Sequence, residues 1–159
     1  MVVFNIETKM WEHVMTEPEM NYALTTSNAC AVMADKIYTK ASYGSHVYEP
    51  KESKWQTEYM LNSKYWGNSC VVDDVLYYHD RVTNTLSAYD PIHKCWGVVE
   101  GLKKFLAETR CSKWSYTVSY GRNVVLLFCR ICEIWCAKIS LERRQGGVIR
   151  VRLNGVTMF

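Results

Sequence analysis

Sulfur and imidazole side chains are the groups in this sequence best suited to chemistry. The chain has 7 cysteines, and three of them, Cys129, Cys132 and Cys136, lie within CRICEIWC. The C-x-x-C spacing is compatible with a metal site or a redox pair. However, no second Cys or His pair stands at zinc-finger spacing, and on an extended strand Cys129 and Cys132 would point to opposite faces. We therefore expect inert, buried thiols and no metal.

The 4 histidines, His13, His46, His79 and His93, share no motif. Each is predicted in a turn or at a strand edge, which favours surface positions over ligand roles. The sequence also lacks G-x-S-x-G, H-E-x-x-H, P-loop and G-x-G-x-x-G patterns. We predict no catalytic residue, no cofactor and no enzyme activity.

Charge and hydropathy exclude further classes of function. The net charge is +3, from 19 basic and 16 acidic residues, and the basic residues are scattered, which argues against nucleic-acid binding. The start of the chain lacks the features of a secretory signal. The most apolar run, 124–137, contains Arg130 and Glu133 and is too short to span a bilayer. An odd number of cysteines without a signal fits a reducing compartment, so we expect a soluble cytoplasmic or nuclear protein without membrane contact.

A short pattern repeated three times indicates which elements carry these residues. It reads VFNIETKMW at 3–11, VYEPKESKW at 47–55 and AYDPIHKCW at 88–96. Each copy has an aromatic residue seven positions before its tryptophan, and two have proline after a polar residue, which favours a tight turn. Each copy therefore predicts a strand end, a turn and a new strand. The recurring positions are Phe4, Trp11, Tyr48, Pro50, Trp55, Tyr89, Asp90, Pro91 and Trp96.

A second pattern precedes two of these copies and occurs once more near the end. In 28–39, 68–79 and 117–128, two apolar runs flank a turn, with Asp35 and Asp74 at equivalent places. Each unit thus contains four short strands, in one unit near 69–72, 75–79, 85–90 and 96–99. Four strands repeating at intervals of 41 and 44 residues are typical of β-propeller blades. An antiparallel sandwich with accidental tryptophan spacing is the alternative.

Four phrases resemble the kelch repeats of plant F-box/kelch-repeat proteins. They are GSHVYEPKESKW (44–55), NSCVVDDVLYYHDR (68–81), AYDPIHKCWGVVEGL (88–102) and IWCAKISLERR (134–144). In that family an F-box binds Skp1 within an SCF-type ubiquitin ligase, and the propeller recruits the protein to be ubiquitinated. The resemblance implies an all-β, incomplete kelch-type propeller with a role in substrate recognition rather than catalysis.

Three features depart from that family. No F-box precedes the repeats, so we do not expect Skp1 to bind this chain. The double glycine of a typical kelch repeat is absent. The last outer strand lacks its tryptophan, and Arg150 or a neighbour is expected at that place.

We interpret the whole chain, 1–159, as one propeller segment of about three to four four-stranded antiparallel blades. It comprises a half blade at 1–14, blades at 28–60 and 68–100, and a last blade at 116–156. Closed propellers typically have about four to eight blades, so we expect this segment to be the C-terminal part of a larger propeller. Apolar residues at helical spacing between 99 and 114 (Leu102, Phe105 and Leu106) also predict a short helix.

The predicted binding surface lies where connections between strands meet. In a meander, the connections from second to third strand and from blade to blade open on one face, and loops commonly carry binding. Exposed Tyr, Trp and Arg side chains are typical of interface hot spots. The partner-binding candidates are Lys40, Ser42, Tyr43, His46, Tyr65, Trp66, His79, Asp80, Arg81 and Asn84. The alternative is that they are solvated loop residues without a partner.

The three repeated tryptophans, Trp11, Trp55 and Trp96, are interpreted as packing between blades rather than as ligand contacts. The sequence therefore favours a protein–protein interaction module. The alternatives are a truncated structural remnant without independent activity or, least favoured, a copper enzyme of the galactose-oxidase type, for which the sequence shows no clustered Tyr and His set.

Overall fold

Antiparallel strands dominate the computed structural model, which describes residues 2–13, 29–42, 44–109, 114–130, 132–143 and 149–158. A two-stranded first sheet is formed by β1 (Val2–Asn5) and β2 (Met10–His13). The second sheet is formed by β3 (Ala29–Met33), β4 (Lys36–Ala41), β5 (Gly44–Glu49) and β6 (Lys54–Thr57). All neighbouring strands in these sheets pair in chain order.

Two further four-stranded sheets repeat this meander. The third sheet is formed by β7 (Cys70–Val72), β8 (Val75–Asp80), β9 (Thr85–Asp90) and β10 (Cys95–Val98). The fourth sheet is formed by β11 (Ser115–Tyr120), β12 (Asn123–Arg130), β13 (Glu133–Arg143) and β14 (Ile149–Met158). Two short helices, α1 (Tyr59–Asn62) and α2 (Lys103–Thr109), lie in the connections between sheets. The predicted all-β fold with kelch-type blades is confirmed.

Turns of two residues join the first two strands of each four-stranded sheet. Ala34 and Asp35 have φ of 48° and 61°, and Asp73 and Asp74 have φ of 49° and 59°. Positive φ at both central residues defines a type I′ turn, whose twist matches that of the flanking strands. Asp35 and Asp74 are therefore in equivalent turns, as the sequence predicted.

Turns of four residues join β1 to β2, β5 to β6 and β9 to β10. Each turn ends in a residue with positive φ, at Lys9, Ser53 and Lys94. In the third sheet the carboxylate of Asp90 accepts hydrogen bonds from the backbone N–H groups of Ile92 and His93, at 2.8 and 3.2 Å. Pro50 begins a single 3₁₀ turn in the equivalent place.

This shared turn places the repeated aromatic residues directly opposite each other. Phe4 pairs with Trp11, Tyr48 with Trp55, and Tyr89 with Trp96. The ring centroids of the three pairs lie 5.1, 5.0 and 5.3 Å apart. Cross-strand aromatic pairs stabilise antiparallel sheets, so the motif that recurs in the sequence encodes one stabilised strand pair. In the fourth sheet Ile139 and Leu153 hold these positions, so the tryptophan is replaced by Leu153 rather than by Arg150.

Two apolar seams join the three four-stranded sheets. The seam between the second and third sheets buries Met33, Leu61, Trp66, Leu76 and Tyr89 completely. The seam between the third and fourth sheets buries Tyr77, Leu86, Leu102, Val124 and Ile139 equally well. Because side chains alternate along a strand, Leu76 points into one seam and its neighbour Tyr77 into the other. The third sheet is therefore covered on both faces.

The connection after β10 crosses to the fourth sheet before it forms α2. Glu100 donates from its backbone N–H to Ile149 O and accepts from Val151 N, each at 3.1 Å. Gly101 has φ of 100°, and a Cβ there would lie 2.9 Å from Val151 O. Only glycine combines that backbone conformation with so close an approach. None of the helices in the described ranges is long and apolar enough to cross a membrane.

Candidate functional site

Hydrogen bonds bring the connections between strands together beside the seams. The backbone N–H of Glu58, at the end of β6, donates to Ser45 O at 2.8 Å, and Ser45 N donates to the side chain of Asn62 in α1. On the next sheet the Lys64 ammonium binds the Asp80 carboxylate at 3.1 Å. The connection 58–69 is thereby fixed to the second-to-third-strand ends of two successive sheets.

A single helical turn, α1, presents two large side chains, those of Tyr59 and Met60, to solvent from this connection. The Glu58 carboxylate caps it by accepting a hydrogen bond from Met60 N, as expected for an acidic residue before a helix. Leu61 is fully buried in the seam, whereas Tyr59 is 78% exposed and Met60 is 44% exposed. The buried leucine anchors the turn, so the two exposed side chains project from a fixed base.

Tyr65 and Trp66 follow α1 and have opposite environments. Tyr65 is 61% exposed. Trp66 has no exposed surface, and its indole N–H donates to Ser45 Oγ at 3.2 Å. Trp66 therefore packs the seam and is inaccessible to a partner, contrary to the role that its place in a connection suggested. Sequence spacing alone does not distinguish which of two adjacent aromatic residues faces the core.

The outer strand β10 completes this region from the third sheet. The indole N–H of Trp96 donates to Met60 O at 2.9 Å, and the ammonium of Lys64 lies 5.8 Å from the Trp96 ring centroid. Lys94 also lies 3.4 Å from the buried Glu58 carboxylate. Trp96 thus joins the third sheet to the connection 58–69, which carries the exposed Tyr59, Met60 and Tyr65. We call these three exposed residues the seam patch.

His79 is buried, whereas the sequence favoured a surface position for it. It lies within β8 rather than in a loop, and only 5% of its surface is exposed. Its Nε2 lies 3.2 Å from Asn84 Oδ1, and its Nδ1 lies 2.8 Å from Ser115 Oγ of the fourth sheet. Since the amide oxygen accepts, Nε2 donates and Nδ1 accepts from the hydroxyl. Burial lowers the pKa of this imidazole, so the neutral form is favoured.

Asp80 and Asn84 hold the turn that follows His79. The Asp80 carboxylate accepts from Val82 N and Thr83 N at 3.0 and 3.3 Å. Its burial by itself would raise the pKa, but the Lys64 ammonium and the turn N–H groups outweigh it and lower the pKa. The Asn84 amide donates to Leu106 O of α2 at 2.6 Å. Both side chains are therefore structural supports of the surface.

The other predicted partner-binding residues have mixed positions. Lys40 in β4 and His46 in β5 are half-buried strand residues rather than loop residues. Burial lowers the pKa of Lys40, and burial together with the Lys40 charge lowers that of His46. Arg81 and Ser42 are exposed, and Tyr43 lies outside the described residues. Between β8 and β9 only the short connection 81–84 remains, because strand pairing continues to Asp80 and Thr85.

A cleft of about 550 Å³ opens where β10 leaves the third sheet. The first part of β9, the crossing segment and α2 enclose it. Its lining is largely apolar and includes Leu86, Val98, Val99, Leu106 and Ala107. Val98 is 61% exposed and forms part of the rim. The cleft is large enough to admit one apolar side chain and lies beside the 81–84 turn.

The thiols do not form a shared site in the described ranges. Cys132 is exposed in a turn with φ of 64°, while Cys129 and Cys136 are half-buried. Cys132 therefore departs from the expected burial, because the chain reverses at this residue instead of continuing as a strand. Across the described ranges, no group of three or more His, Cys, Asp or Glu side chains is arranged to hold a metal ion.

The residues missed by sequence reasoning are Tyr59, Met60 and Lys64. Each lies in the blade-to-blade connection, where only Tyr65 and Trp66 were expected to matter. The one available signal was Glu58 before an apolar turn, a weak helix start.

Comparison with known proteins identifies close similarity along almost the whole chain. Residues 1–155 match the family model described as FKB95, Kelch-repeats domain. The chain is 40% identical over 152 residues to F-box/kelch-repeat protein At4g38940 of Arabidopsis thaliana, covering 94% of this chain and 40% of that protein. It is 31% identical over 164 residues to Kelch repeat-containing protein At1g19470 of the same plant, covering 92% and 40%. The chain thus spans about 40% of the length of these relatives.

Proposed function

This chain belongs to the family of FKB95 kelch-repeats domains, and from that premise we propose that it is a protein-interaction module that recognises the substrate of an SCF-type ubiquitin ligase. The names of its relatives include F-box/kelch-repeat protein, which supports this class of role. Recognition requires a surface and no reaction, so the proposal assigns no catalytic residue and no cofactor.

The seam patch carries the proposal. Tyr59, Met60 and Tyr65 are exposed, and Tyr and Met are both enriched at protein interfaces. Their backbone is fixed by the buried side chains of Leu61 and Trp66. A partner would therefore bind without first ordering the segment, which reduces the entropic cost of association. The exposed Arg81 directly follows Asp80, which Lys64 of the same connection binds at 3.1 Å, and Thr83 and Asn84 of the 81–84 turn line the cleft beside α2.

The partner-binding candidates that the structure buries support the surface rather than contact the partner. Trp66, His79 and Asp80 fix the connections, and Lys40 and His46 lie in the strands beneath. The proposed contact residues are therefore Tyr59, Met60, Tyr65 and Arg81. Skp1 is not expected among the partners, because the F-box rather than the kelch repeats binds Skp1 in the family that this sequence resembles.

Affinity purification from plant extract with the full chain as bait tests the proposal. The Tyr59→Ala/Tyr65→Ala variant is compared with wild type by quantitative mass spectrometry. We expect its bound proteins to fall at least about tenfold, since truncating a hot-spot residue costs about 2 kcal/mol or more. The matched control is Ile6→Ala/Ile92→Ala, which removes two side chains that are 82% and 78% exposed in the four-residue turns. It should retain the same proteins.

Identical bound proteins for wild type and the tyrosine variant would contradict the proposed surface. A protein that depends on the tyrosines is then tested for ubiquitination in extract with and without added chain. A change in its ubiquitination supports the ligase-related role. Unchanged ubiquitination would contradict that role while leaving the interaction surface supported. Skp1 recovered by the control and wild-type baits would contradict the expectation about Skp1.

A further inference from the structure

The innermost strands of the three four-stranded sheets carry equivalent residues in register. Immediately before the two-residue turns stand Met33 in β3, Val72 in β7 and Tyr120 in β11. Met33 is buried in the seam with the third sheet, and Val72 is buried in the seam with the fourth. Tyr120 is 67% exposed. On the second and third sheets, this face is covered by the sheet that follows. In the described ranges, the equivalent face of the fourth sheet is uncovered.

Two residues earlier on these strands, the equivalent positions are again packed in the second and third sheets and exposed in the fourth. Ala31 packs into the first of these seams and Cys70 into the second, whereas Val118 is 44% exposed. Tyr116, a further two residues back, is 48% exposed.

Neighbouring strands extend this uncovered surface. Val125 lies opposite Val118, and Leu127 lies opposite Tyr116. The ammonium of Lys138 lies 5.3 Å from the Tyr120 ring centroid. We call this surface the fourth-sheet face. Its members are Tyr116, Val118, Tyr120, Val125, Leu127 and Lys138.

The first sheet presents the opposite half of such a seam. In the third sheet, Tyr89 and Trp96 face the second sheet and complete the seam between them. Phe4 and Trp11 occupy the same register positions in the first sheet, and they are 45% and 69% exposed. One chain therefore carries both complementary faces, one on its first sheet and one on its fourth, and both are exposed in the described ranges.

We propose that the fourth-sheet face binds the first sheet of a second copy of this chain, head to tail. A second copy is the proposed partner because its first sheet would repeat, on the fourth-sheet face, the kind of seam that the chain already forms twice between its own sheets. Exposed apolar surfaces of this kind mark association sites. Head-to-tail contacts close into rings when the rotation allows. Two copies supply six four-stranded and two two-stranded sheets, eight in all, which is the upper end of the range of about four to eight blades in closed propellers. The side chains differ from the seam patch, so this inference does not depend on the proposed function.

Size-exclusion chromatography with light scattering tests the association directly. For the full chain we expect twice the mass of one chain at concentrations up to about 100 μM, where even a weak interface assembles. Val118→Asp places a charge in the middle of the fourth-sheet face and should give single chains. The matched control Val82→Asp, at a side chain 94% exposed in the 81–84 turn, should retain the doubled mass. Wild type that remains a single chain throughout would overturn the proposal.

A mixing experiment tests the head-to-tail geometry. Trp11→Asp damages only the first-sheet face, so either variant alone should remain a single chain. An equal mixture of Val118→Asp and Trp11→Asp restores one intact contact and should form pairs. The proposal would be overturned if the mixture contained only single chains, or if the Val118→Asp variant alone retained the doubled mass. Circular dichroism checks that each variant is folded, and Tyr120→Ser replaces Val118→Asp if that variant unfolds.

Discussion

Single side chains explain why the connections of this molecule hold a fixed surface. Leu61 and Trp66 are fully buried beside exposed Tyr59 and Tyr65, so anchors and presented groups alternate within a few residues. His79 joins the third sheet to the fourth through Ser115 and to the 81–84 turn through Asn84. These roles were not evident from residue type. The sequence could indicate that Trp and His were important, but only packing determines which side chain reaches solvent.

Acidification should destabilise the fold through His79. Burial lowers its pKa below the ordinary value of 6.5, so below about that pH the unfolded chain binds a proton that the folded chain does not. The stabilisation is therefore complete above 6.5 and is lost as the pH falls towards the folded pKa. Urea unfolding of wild type and His79→Gln across this range checks the effect, and the variant should show the weaker dependence.

Asp90 provides the control because its pKa is lowered from an ordinary value of 3.8 and it is not among the charges that act on His79. Its contribution is present above that value and is lost only as the pH falls further. Asp90→Asn should therefore leave the loss of stability that begins near pH 6.5 unchanged. If the unfolding free energy fell equally steeply with pH below about 6.5 in wild type and His79→Gln, the proposed role of the buried His79 imidazole would be contradicted.

At the scale of elements, the repeated pattern predicted strand pairs well. Aromatic residues and turn residues act locally, so the Tyr89–Trp96 pair and the Asp90 turn could be inferred from spacing. The strands expected near 69–72, 75–79, 85–90 and 96–99 are found at 70–72, 75–80, 85–90 and 95–98. The pairing of Glu100 with β14 was not predicted, because it joins distant segments through backbone groups that leave no residue signature.

Gly101→Ala tests that crossing. A Cβ would meet Val151 O at 2.9 Å on a backbone with φ of 100°, so we expect a loss of about 1–3 kcal/mol in unfolding free energy. Gly97→Ala in β10 is the matched control, since its nearest contact would be 4.0 Å away at Ala88 O. It should change stability by no more than about 0.5 kcal/mol. Denaturant titration of both variants measures the difference, and equal stability would contradict a tightly packed crossing.

At the scale of the whole molecule, apolar seams hold successive sheets together. Each seam buries side chains from two sheets and from the connection between them. Exposed polar contacts at the two-residue turns add little, for example the 3.1 Å pair between Arg122 and Asp73. The periodicity of the sequence predicted the blades. It could not predict which sheet faces are exposed in the described ranges, because exposure depends on how the sheets pack against one another.

Two substitutions compare these contributions. Trp66→Ala removes a fully buried indole from a seam and should lower the unfolding free energy by about 3–5 kcal/mol. Arg122→Ala removes a side chain that is 85% exposed and should cost less than about 1 kcal/mol. Thermal and denaturant unfolding measure both. If Arg122→Ala lowered the unfolding free energy more than Trp66→Ala, the conclusion that the apolar seams contribute most to stability would be contradicted.

Site-specific photo-crosslinking tests most directly whether the seam patch is a protein-binding surface. A photoreactive phenylalanine analogue replaces Tyr65, which is 61% exposed, and in a separate chain replaces Asp35, which is exposed in a two-residue turn at the opposite ends of the strands. After irradiation in plant extract, we predict that position 65 forms a covalent adduct with a partner protein and that position 35 does not. Equal crosslinking at the two positions, or none at position 65, would contradict a binding surface at the seam patch.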